Sequence, residues 1–298
     1  MNANATARNR LNRASIFTVI NYFFVAALAV LCALPLILVL MISLTSDAAI
    51  KKYGYQFIPS QFSNAAYRMI FSPSSSMLPA YGVSTVVTVV GTLAATSFTA
   101  MAAFALANKS VKKRNALALF FFIPMVFNAG LVPWYMMCRS LGLMDNIFAL
   151  IIPSLLFSPF NMFLVRNYMN TIPDSLLESA KLDGATDVTI AFRIYFPLSL
   201  PVLATVTLFY GVAYWNDWFN AIMLVNNQKL FPLQYMLYKL QSDIAALQRL
   251  DPNVKLADLP GESLKMATTV VTIGPIIFLY PYLQKYFVKG LVIGGVKG

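Results

Sequence analysis

Carboxylates, amines and hydroxyls are the groups with which this chain could do chemistry, because its 298 residues include no histidine. Without histidine, neither a Ser-His-Asp triad nor an imidazole metal ligand can form. The sequence also lacks the G-x-x-x-x-G-K-S/T loop that holds nucleotide phosphates and the H-E-x-x-H pair of zinc enzymes. Its two cysteines, Cys32 and Cys138, lie in or beside apolar runs and are not spaced as metal ligands. We therefore predict that this chain has no catalytic residue, no metal site and no bound cofactor.

Asp217 is an acidic residue inside an apolar stretch. An aspartate at the centre of a bilayer costs about 2.5 to 3.5 kcal/mol on insertion scales, so such a residue is normally functional. Asp217 lies toward the outer end of its stretch, between Trp215 and Trp218, where it can be hydrated while the tryptophans occupy the aromatic belt. This position favours structural anchoring over substrate contact. A single marginal carboxylate gives little support to a membrane enzyme or to an ion-coupled secondary carrier, which we keep as the alternative function.

The composition is that of a membrane protein: 59% of the residues are hydrophobic, 11% are charged, and the mean hydropathy is +0.68. Crossing a bilayer takes about 20 apolar residues in a helix. The sequence predicts an all-α integral membrane domain at 16–288, with spans at about 16–42, 81–107, 116–137, 147–169, 198–225 and 266–287. Small residues such as Gly91 predict that the second span packs closely on another helix. Residues 1–15 and 289–298 are predicted to be tails, the first of them disordered.

Prolines interrupt the third and fourth spans, and the third also contains a polar asparagine. An interrupted helix exposes backbone carbonyls, which is tolerated in membranes where the helix lines a cavity or is buried in protein. The sequence leaves both interpretations open. The candidate cavity-lining residues are Asn128, Trp134, Tyr135, Tyr214 and Asp217. For each of the aromatic residues, packing is the more common role.

The net charge of +11 is unevenly distributed along the chain. Residues 108–115, between the second and third spans, contain the densest cluster of lysine and arginine. By the positive-inside rule, this loop and both termini are predicted to lie in the cytoplasm. The same orientation places residues 173–197, between the fourth and fifth spans, on the cytoplasmic side.

Residues 173–197 form a polar island between long apolar segments. Pro173 can open a helix because its missing N–H would be unpaired at that position, and Gly184 is typical of a residue that ends one. A first helix is therefore predicted over 175–182. Its predicted apolar stripe consists of Leu176, Leu177 and Ala180. Thr186 is predicted to cap a second helix that continues until Pro197 interrupts it. For an arbitrary membrane protein, such short helices could simply lie at the lipid interface.

The spacing of residues in this island resembles the EAA motif of bacterial ABC importer permeases. The matching positions are Glu178, Ala180, Asp183, Gly184, Ala185, Ile194 and Pro197. Ser179 replaces an alanine of that motif and Phe196 replaces a leucine, and both substitutions keep the size or polarity class. Over nearly its whole length the chain resembles the smaller membrane subunit of carbohydrate-type importers, similar to the small maltose permease subunit. Within that family it looks closest to a branch associated with polysaccharide fragments such as oligo-uronates.

The resemblance implies a type I importer fold with six transmembrane helices and a cytoplasmic coupling helix that seats in a cleft of a separate ATPase. The implied coupling residues are Ser175, Leu176, Leu177, Glu178, Ala180, Lys181, Asp183, Gly184 and Ala185. Near the C-terminus, the residues implied to reach the ATPase are Lys289, Gly290 and Lys297. The loop residues implied to enter the solute-binding protein are Leu256, Asp258, Pro260 and Gly261.

The resemblance also implies the partners and the location. A second, homologous permease subunit would complete a heterodimer, with two ATPase subunits below it and an extracytoplasmic solute-binding protein above it. ATP and Mg²⁺ would be bound by the ATPase and not by this chain. The expected location is the bacterial cytoplasmic (inner) membrane, and the expected substrate is an oligosaccharide, including acidic fragments such as oligo-alginate.

Overall fold

The structure, a computed structural model, describes the backbone of residues 3–73, 75–153, 155–250 and 261–292. Side chains are described for residues 17–73, 75–153, 155–243 and 261–277. Within these ranges the regular elements are helices, and the β-type pairing is an isolated antiparallel bridge between Thr45 and Phe62. The chain divides into two compact units. Unit 1 consists of residues 1–72 and 244–271, and unit 2 of residues 73–243 and 272–298.

Unit 1 begins with the long helix α1 (Ala3–Ser43), followed by α2 (Asp47–Tyr53) and α3 (Ala65–Ile70). Within α1, Phe17–Ser43 is a continuous apolar segment long enough to cross a membrane, and most of its side chains are exposed. Because α1 begins at Ala3, residues 3–15 are helical, which differs from the disordered tail that we expected. These residues include alanine, leucine and arginine, which have high helix propensity, so the polar sequence can extend the helix that follows it.

Unit 2 contains the long helix α4 (Met77–Ala107) and a series of shorter ones. The shorter helices are α5 (Arg114–Val126), α6 (Leu131–Ser140), α7 (Phe148–Ile151), α8 (Pro159–Met169), α9 (Asp174–Leu182), α10 (Asp187–Ile190), α11 (Phe196–Leu198), α12 (Leu200–Trp215) and α13 (Phe219–Leu224). A π-helical turn, Ala191–Tyr195, connects α10 to α11. The chain passes between the two units at residues 72/73, within α14 (Leu233–Leu250) and within α15 (Glu262–Val292).

The core of unit 2 is built around α4, which packs on α8 and α12. Gly91 lies directly against the ring of Tyr214, and a Cβ at this position would be 2.5 Å from the ring's Cζ. Nearby, the Thr99 hydroxyl and the Tyr210 hydroxyl are hydrogen-bonded at 2.7 Å. The expectation that the second span packs closely on another helix through its small residues is confirmed.

Two helical segments in the described part of the chain are long and apolar enough to span a membrane unbroken, Phe17–Ser43 and Met77–Ala107. Two further pairs of segments qualify only if each bent pair is one span. The pair α5 and α6 is bent by 118°, and the segment Asp187–Leu198 is bent by 82° against α12. Helix α15 covers the predicted sixth span. The number of six spans therefore stays a prediction.

The predicted fourth span, 147–169, is divided into α7 and α8 around Pro153. The backbone groups freed at this break are satisfied by side chains from the fifth-span region. Tyr214 donates its hydroxyl hydrogen bond to the Ile151 carbonyl at 2.8 Å, and Asn220 donates from Nδ2 to the Pro153 carbonyl at 3.1 Å. Tyr210 accepts a bond from the Ser158 N–H at 2.9 Å. This break is thus accommodated by burial in protein, one of the two interpretations left open by the sequence.

Candidate functional site

Helix α9 lies in the polar island and has the termini that its sequence predicts. It starts at Asp174, directly after Pro173, and ends at Leu182. Gly184 has a φ of +78°, its N–H donates to the Lys181 carbonyl at 3.1 Å, and the Ala185 N–H donates to the Ala180 carbonyl at 2.9 Å. These two bonds form a Schellman motif, in which glycine is preferred because L side chains rarely adopt this φ. The predicted first helix and its glycine turn are confirmed.

The faces of α9 differ from the stripe that we predicted. Leu177 and Ala180, three residues apart, are buried against the core of unit 2. Leu176 is 43% exposed, and Leu182, at the end of the helix, is 89% exposed. Leu176 and Leu177 point about 100° apart on the helix, and it is the side of Leu177 that the core of unit 2 covers. Helix α9 therefore carries apolar side chains both on the face buried in unit 2 and on its exposed surface.

The second helix of the island begins as predicted. Thr186 accepts a hydrogen bond at its side-chain oxygen from the Thr189 N–H at 3.2 Å, which is an N-cap interaction. Ile190 is buried, whereas Val188 is exposed. The helical path continues through the π turn past Pro197 and breaks at Ser199, two residues later than expected. The π turn ends at Tyr195, two residues before Pro197, whose missing N–H and bulky ring disrupt regular α-helical bonding.

Four large apolar side chains of α9, α10 and the π turn are exposed: Leu176, Leu182, Val188 and Phe192. Exposed charged residues, including Glu178 and Asp183, are interspersed among them. An apolar surface with charged neighbours is typical of a site where another protein binds.

The loop between α4 and α5 holds both helices of the island from one side. Lys109 forms an ion pair with Asp174, at the start of α9. Lys181 donates from Nζ to the Ser110 hydroxyl at 2.7 Å and lies 3.8 Å from the Asp187 carboxylate. These ion pairs are largely exposed, so each contributes little on its own, but together they connect this loop to α9 and α10.

A further interaction involves the same neighbourhood. Asn108, which is buried, donates from Nδ2 to Asp187 Oδ1 at 3.4 Å. From the sequence, the basic loop predicted only the orientation of the chain, and its contacts with α9 and α10 were not predicted. Its positive charge, opposite to that of Asp174 and Asp187, was the feature that could have indicated them.

The five predicted cavity-lining residues lie at different places in unit 2. Asn128 is exposed at the bend between α5 and α6, where its Oδ1 accepts from the Gly130 N–H at 2.8 Å. Trp134 is half-buried with its ring 5.5 Å from that of Phe219. Tyr135 is half-buried and Tyr214 is buried in the core. A cavity-lining role for these residues stays a prediction.

The remaining candidate, Asp217, is half-buried between α12 and α13. Its Oδ1 accepts from the Phe219 N–H at 3.1 Å and from the Asn220 N–H at 3.3 Å. The carboxylate thus caps the first turn of α13, a role that fits the structural anchoring favoured by the sequence.

Of the predicted binding-protein loop, the structure describes Gly261, in unit 1. A Cβ at Gly261 would lie 1.7 Å from Asp47 Oδ2, so a side chain does not fit here. Asp47 accepts at Oδ1 from the Ser263 N–H at 3.0 Å and so caps the start of α15. The residues Leu256, Asp258, Pro260 and Lys297 lie outside the described residues. The backbone of Lys289 and Gly290 belongs to α15, and their side chains are not described.

Residues 14–293 match the family model described as "Binding-protein-dependent transport system inner membrane component". Among relatives from Bacillus subtilis (strain 168), Protein LplC is 37% identical over 285 residues, which is 95% of each chain. The Polygalacturonan/rhamnogalacturonan transport system permease protein YtcP is 35% identical over 298 residues, covering 98% of this chain and 100% of the relative.

Two solved structures are similar over most of the chain. A chain from the crystal structure of a bacterial ABC transporter involved in the import of the acidic polysaccharide alginate is 31% identical, with a TM-score of 0.80. The match covers 92% of this chain and 97% of that one. A chain from the bacterial alginate ABC transporter in complex with an alginate pentasaccharide-bound periplasmic protein has a TM-score of 0.56 at 15% identity, and this likeness shows the fold alone.

Proposed function

This chain belongs to the family of inner membrane components of binding-protein-dependent transport systems, and from that membership we propose that it is a permease subunit of an ATP-driven oligosaccharide importer. The family comprises translocation subunits of ABC transporters. Consequently the chain's own task is to form part of the pathway through the membrane.

The proposed substrate is an oligosaccharide derived from an acidic polysaccharide. This follows from two of the relatives. One is described as a polygalacturonan/rhamnogalacturonan permease, and the 31%-identical structure comes from a transporter that imports the acidic polysaccharide alginate. Both descriptions concern anionic polymers of sugar rings, and both matches extend over more than nine-tenths of this chain.

The observation that carries the proposed mechanism is the outward face of α9. Leu182 is almost fully exposed at the tip of a helix whose opposite residues, Leu177 and Ala180, are buried. An exposed leucine side chain at the end of a helix, next to a well-defined glycine turn, is suited to insertion into a cleft of another protein. We assign α9 as the cytoplasmic coupling helix that seats in the ATPase, with Glu178, Lys181 and Asp183 at the rim of the contact.

The connections of α9 suggest how motion would pass to the membrane domain. On one side, Lys109 and Ser110 connect the helix to the end of α4, and on the other the Gly184 turn leads through α10 and the π turn to α12. When the ATPase subunits close, α9 would move as a rigid lever and shift both helices. Alternation between inward-facing and outward-facing packings then requires that nucleotide binding favours one of two states of similar energy.

The proposed assembly contains this chain, a second homologous permease subunit, two ATPase subunits that bind ATP and Mg²⁺, and an extracytoplasmic solute-binding protein. In this proposal the chain has six spans, at the boundaries predicted from the sequence, and both termini are cytoplasmic. The loop that includes Leu256, Asp258, Pro260 and Gly261 would contact the binding protein. The C-terminal residues Lys289, Gly290 and Lys297 would contact the ATPase.

The deciding experiment measures ATP hydrolysis by the complete complex, reconstituted in lipid, with and without binding protein and a panel of neutral and acidic oligosaccharides. We expect stimulation by acidic oligosaccharides together with the binding protein, and uptake that requires ATP. Uptake that follows a proton gradient without ATP hydrolysis would overturn the proposal in favour of the ion-coupled carrier.

A further inference from the structure

An aromatic surface in unit 2 is not used by the coupling mechanism. The indole of Trp218, between α12 and α13, stacks on the ring of Tyr238 from α14, with centroids 4.6 Å apart and planes 11° apart. Tyr235 continues the row, with its ring 6.4 Å from that of Tyr238 and tilted by only 19°. Trp218 is 40% exposed and Tyr238 is 38% exposed. Three nearly parallel rings from two parts of the chain therefore form a row that remains partly open.

Two side-chain amides come from positions close to these rings in sequence: Asn216 is two residues before Trp218, and Gln234 is four residues, about one helical turn, before Tyr238. Gln234 donates from Nε2 to Asn216 Oδ1 at 2.9 Å, which joins α14 to the end of α12. Asn216 also donates from Nδ2 to the Val212 carbonyl at 2.9 Å, so its orientation is fixed from both ends. An amide carbonyl oxygen has two lone pairs, and a glutamine or asparagine amide carries two N–H donors. The pair therefore keeps capacity for further hydrogen bonds.

The backbone that carries Trp218 is rigid. Asp217 accepts from the Phe219 N–H and the Asn220 N–H, so residues on both sides of Trp218 are fixed. Phe219 packs against Trp134, and its ring lies 6.2 Å from that of Trp218. A preorganised aromatic platform loses little conformational entropy when a ligand binds to it.

The chemistry of this surface distinguishes between possible occupants. A lipid chain that covered the rings would also cover the Asn216–Gln234 amide pair and remove it from water, which is costly for polar groups that gain no partner. A sugar ring has an apolar face of C–H groups and an edge of hydroxyls, so it can use the rings and the amides together. Binding sites for such ligands combine aromatic walls with a few fixed polar groups.

We infer that Trp218 and Tyr238, together with the Asn216–Gln234 amide pair, form a subsite that binds a pyranose ring of an oligosaccharide. The inference rests on the proposed function for the identity of the ligand. It assigns substrate contact to residues other than Trp134, Tyr135 and Tyr214. Of those three, Tyr214 is buried in the core and Trp134 packs against Phe219.

The test uses the complete purified complex without binding protein, and measures its Kd for a galacturonan pentasaccharide and for a neutral maltooligosaccharide of the same length. We expect Trp218→Ala and Tyr238→Ala each to raise the Kd for a sugar that the wild-type complex binds, by about fivefold, because each removes an aromatic contact. Trp218→Phe, which keeps a ring, should restore most of the affinity. The control is Phe148→Ala, which removes an exposed ring of α7 outside this row.

The possible results test the sugar subsite and the proposed transport function independently. If the wild-type complex binds neither sugar, or if Trp218→Ala and Tyr238→Ala bind as tightly as wild type, the subsite is wrong. A lower melting temperature or loss of the second permease subunit, at unchanged Kd, would show that the rings serve packing or assembly. Sugar binding that depends on Trp218 in a complex without ATP-driven uptake would support the subsite and overturn the proposed function.

Discussion

In the α4–α12 pair, Gly91 lies against the ring of Tyr214 and the hydroxyls of Thr99 and Tyr210 are bonded to each other in the buried interior. Helix α9, in the same unit, leaves Leu182 almost completely exposed and is braced by ion pairs that remain partly in solvent. The first region is closely packed and leaves no free volume at Gly91, and its Thr99–Tyr210 hydrogen bond is buried. The second keeps apolar and charged groups available for a partner.

This contrast suggests that the α4–α12 pair determines the stability of the fold, whereas α9 serves coupling to a partner. In the α4–α12 pair, a change in side-chain volume or the loss of one hydroxyl should affect folding, because close-packed interiors have little room to relax. In α9 and its turn, substitutions of exposed residues should leave the stability of the fold nearly unchanged and should instead alter binding to the proposed ATPase partner and the stimulation of ATP hydrolysis. Mutations can therefore test whether the two regions have the separate roles that their structures suggest.

Gly91→Leu should have the largest effect. The new side chain would start with a Cβ 2.5 Å from the Tyr214 ring, so the helices must separate, at a cost of about 3 kcal/mol or more. We expect little folded protein after detergent extraction, measured by size-exclusion chromatography and thermal unfolding. Gly82→Leu is the matched control, since a Cβ at Gly82 in the same helix would meet nothing within 4 Å. Equal stability of the two variants would contradict close packing at Gly91.

Gly184→Pro should greatly reduce coupling while the complex still folds. Proline has a φ near −65° and no N–H, so it can neither adopt the +78° found here nor donate to the Lys181 carbonyl. We expect ATPase stimulation and uptake to fall about tenfold or more, within the usual range of coupling energies. Ser179→Ala, on an exposed position of α9, serves as the control. Normal uptake by Gly184→Pro would exclude a role for this turn in coupling.

Glu178→Lys tests the charged rim of the same helix. Glu178 is exposed, so charge reversal should leave the melting temperature of the complex unchanged. If α9 docks in an ATPase cleft, the new charge should weaken that contact, and ATPase stimulation should fall by about fivefold or more. Co-purification of the ATPase with the variant complex measures the contact directly. Unchanged stimulation together with unchanged ATPase binding would argue that this face of α9 is free in the assembly.

Tyr214→Phe should destabilise the protein without changing its substrate. The variant keeps the ring against Gly91 but leaves the buried Ile151 carbonyl without its hydroxyl donor, at a cost of about 1 to 3 kcal/mol. Thermal unfolding of the purified complex measures this loss. A change in sugar affinity at unchanged stability would instead support the cavity-lining role considered from the sequence.

The sequence was most informative where local chemistry determines structure. Pro173, Gly184 and Thr186 act through their own backbone and side-chain bonds, so the ends of α9 and the start of α10 could be predicted from them. The exposure of Leu176 could not be predicted from the sequence, because it depends on which face of α9 the rest of unit 2 covers. The aromatic row was also hidden, since Trp218 and Tyr238 lie 20 residues apart in sequence and meet only after α14 packs near α12.

The smallest effect is expected for the ion pair between Lys109 and Asp174. Both side chains are at least half exposed, so a double-mutant cycle with Lys109→Ala and Asp174→Ala should give a coupling energy of about 0.2 to 1 kcal/mol for unfolding, and less at high salt. If the pair braces α9 as a lever, either single variant should also reduce the uptake achieved per ATP hydrolysed, although its melting temperature hardly changes. Lys112→Ala, in the same loop and exposed, is the control for the loss of one positive charge. An unchanged ratio of uptake to hydrolysis in both single variants and in the double variant would mean that this ion pair carries no motion from α4 to α9.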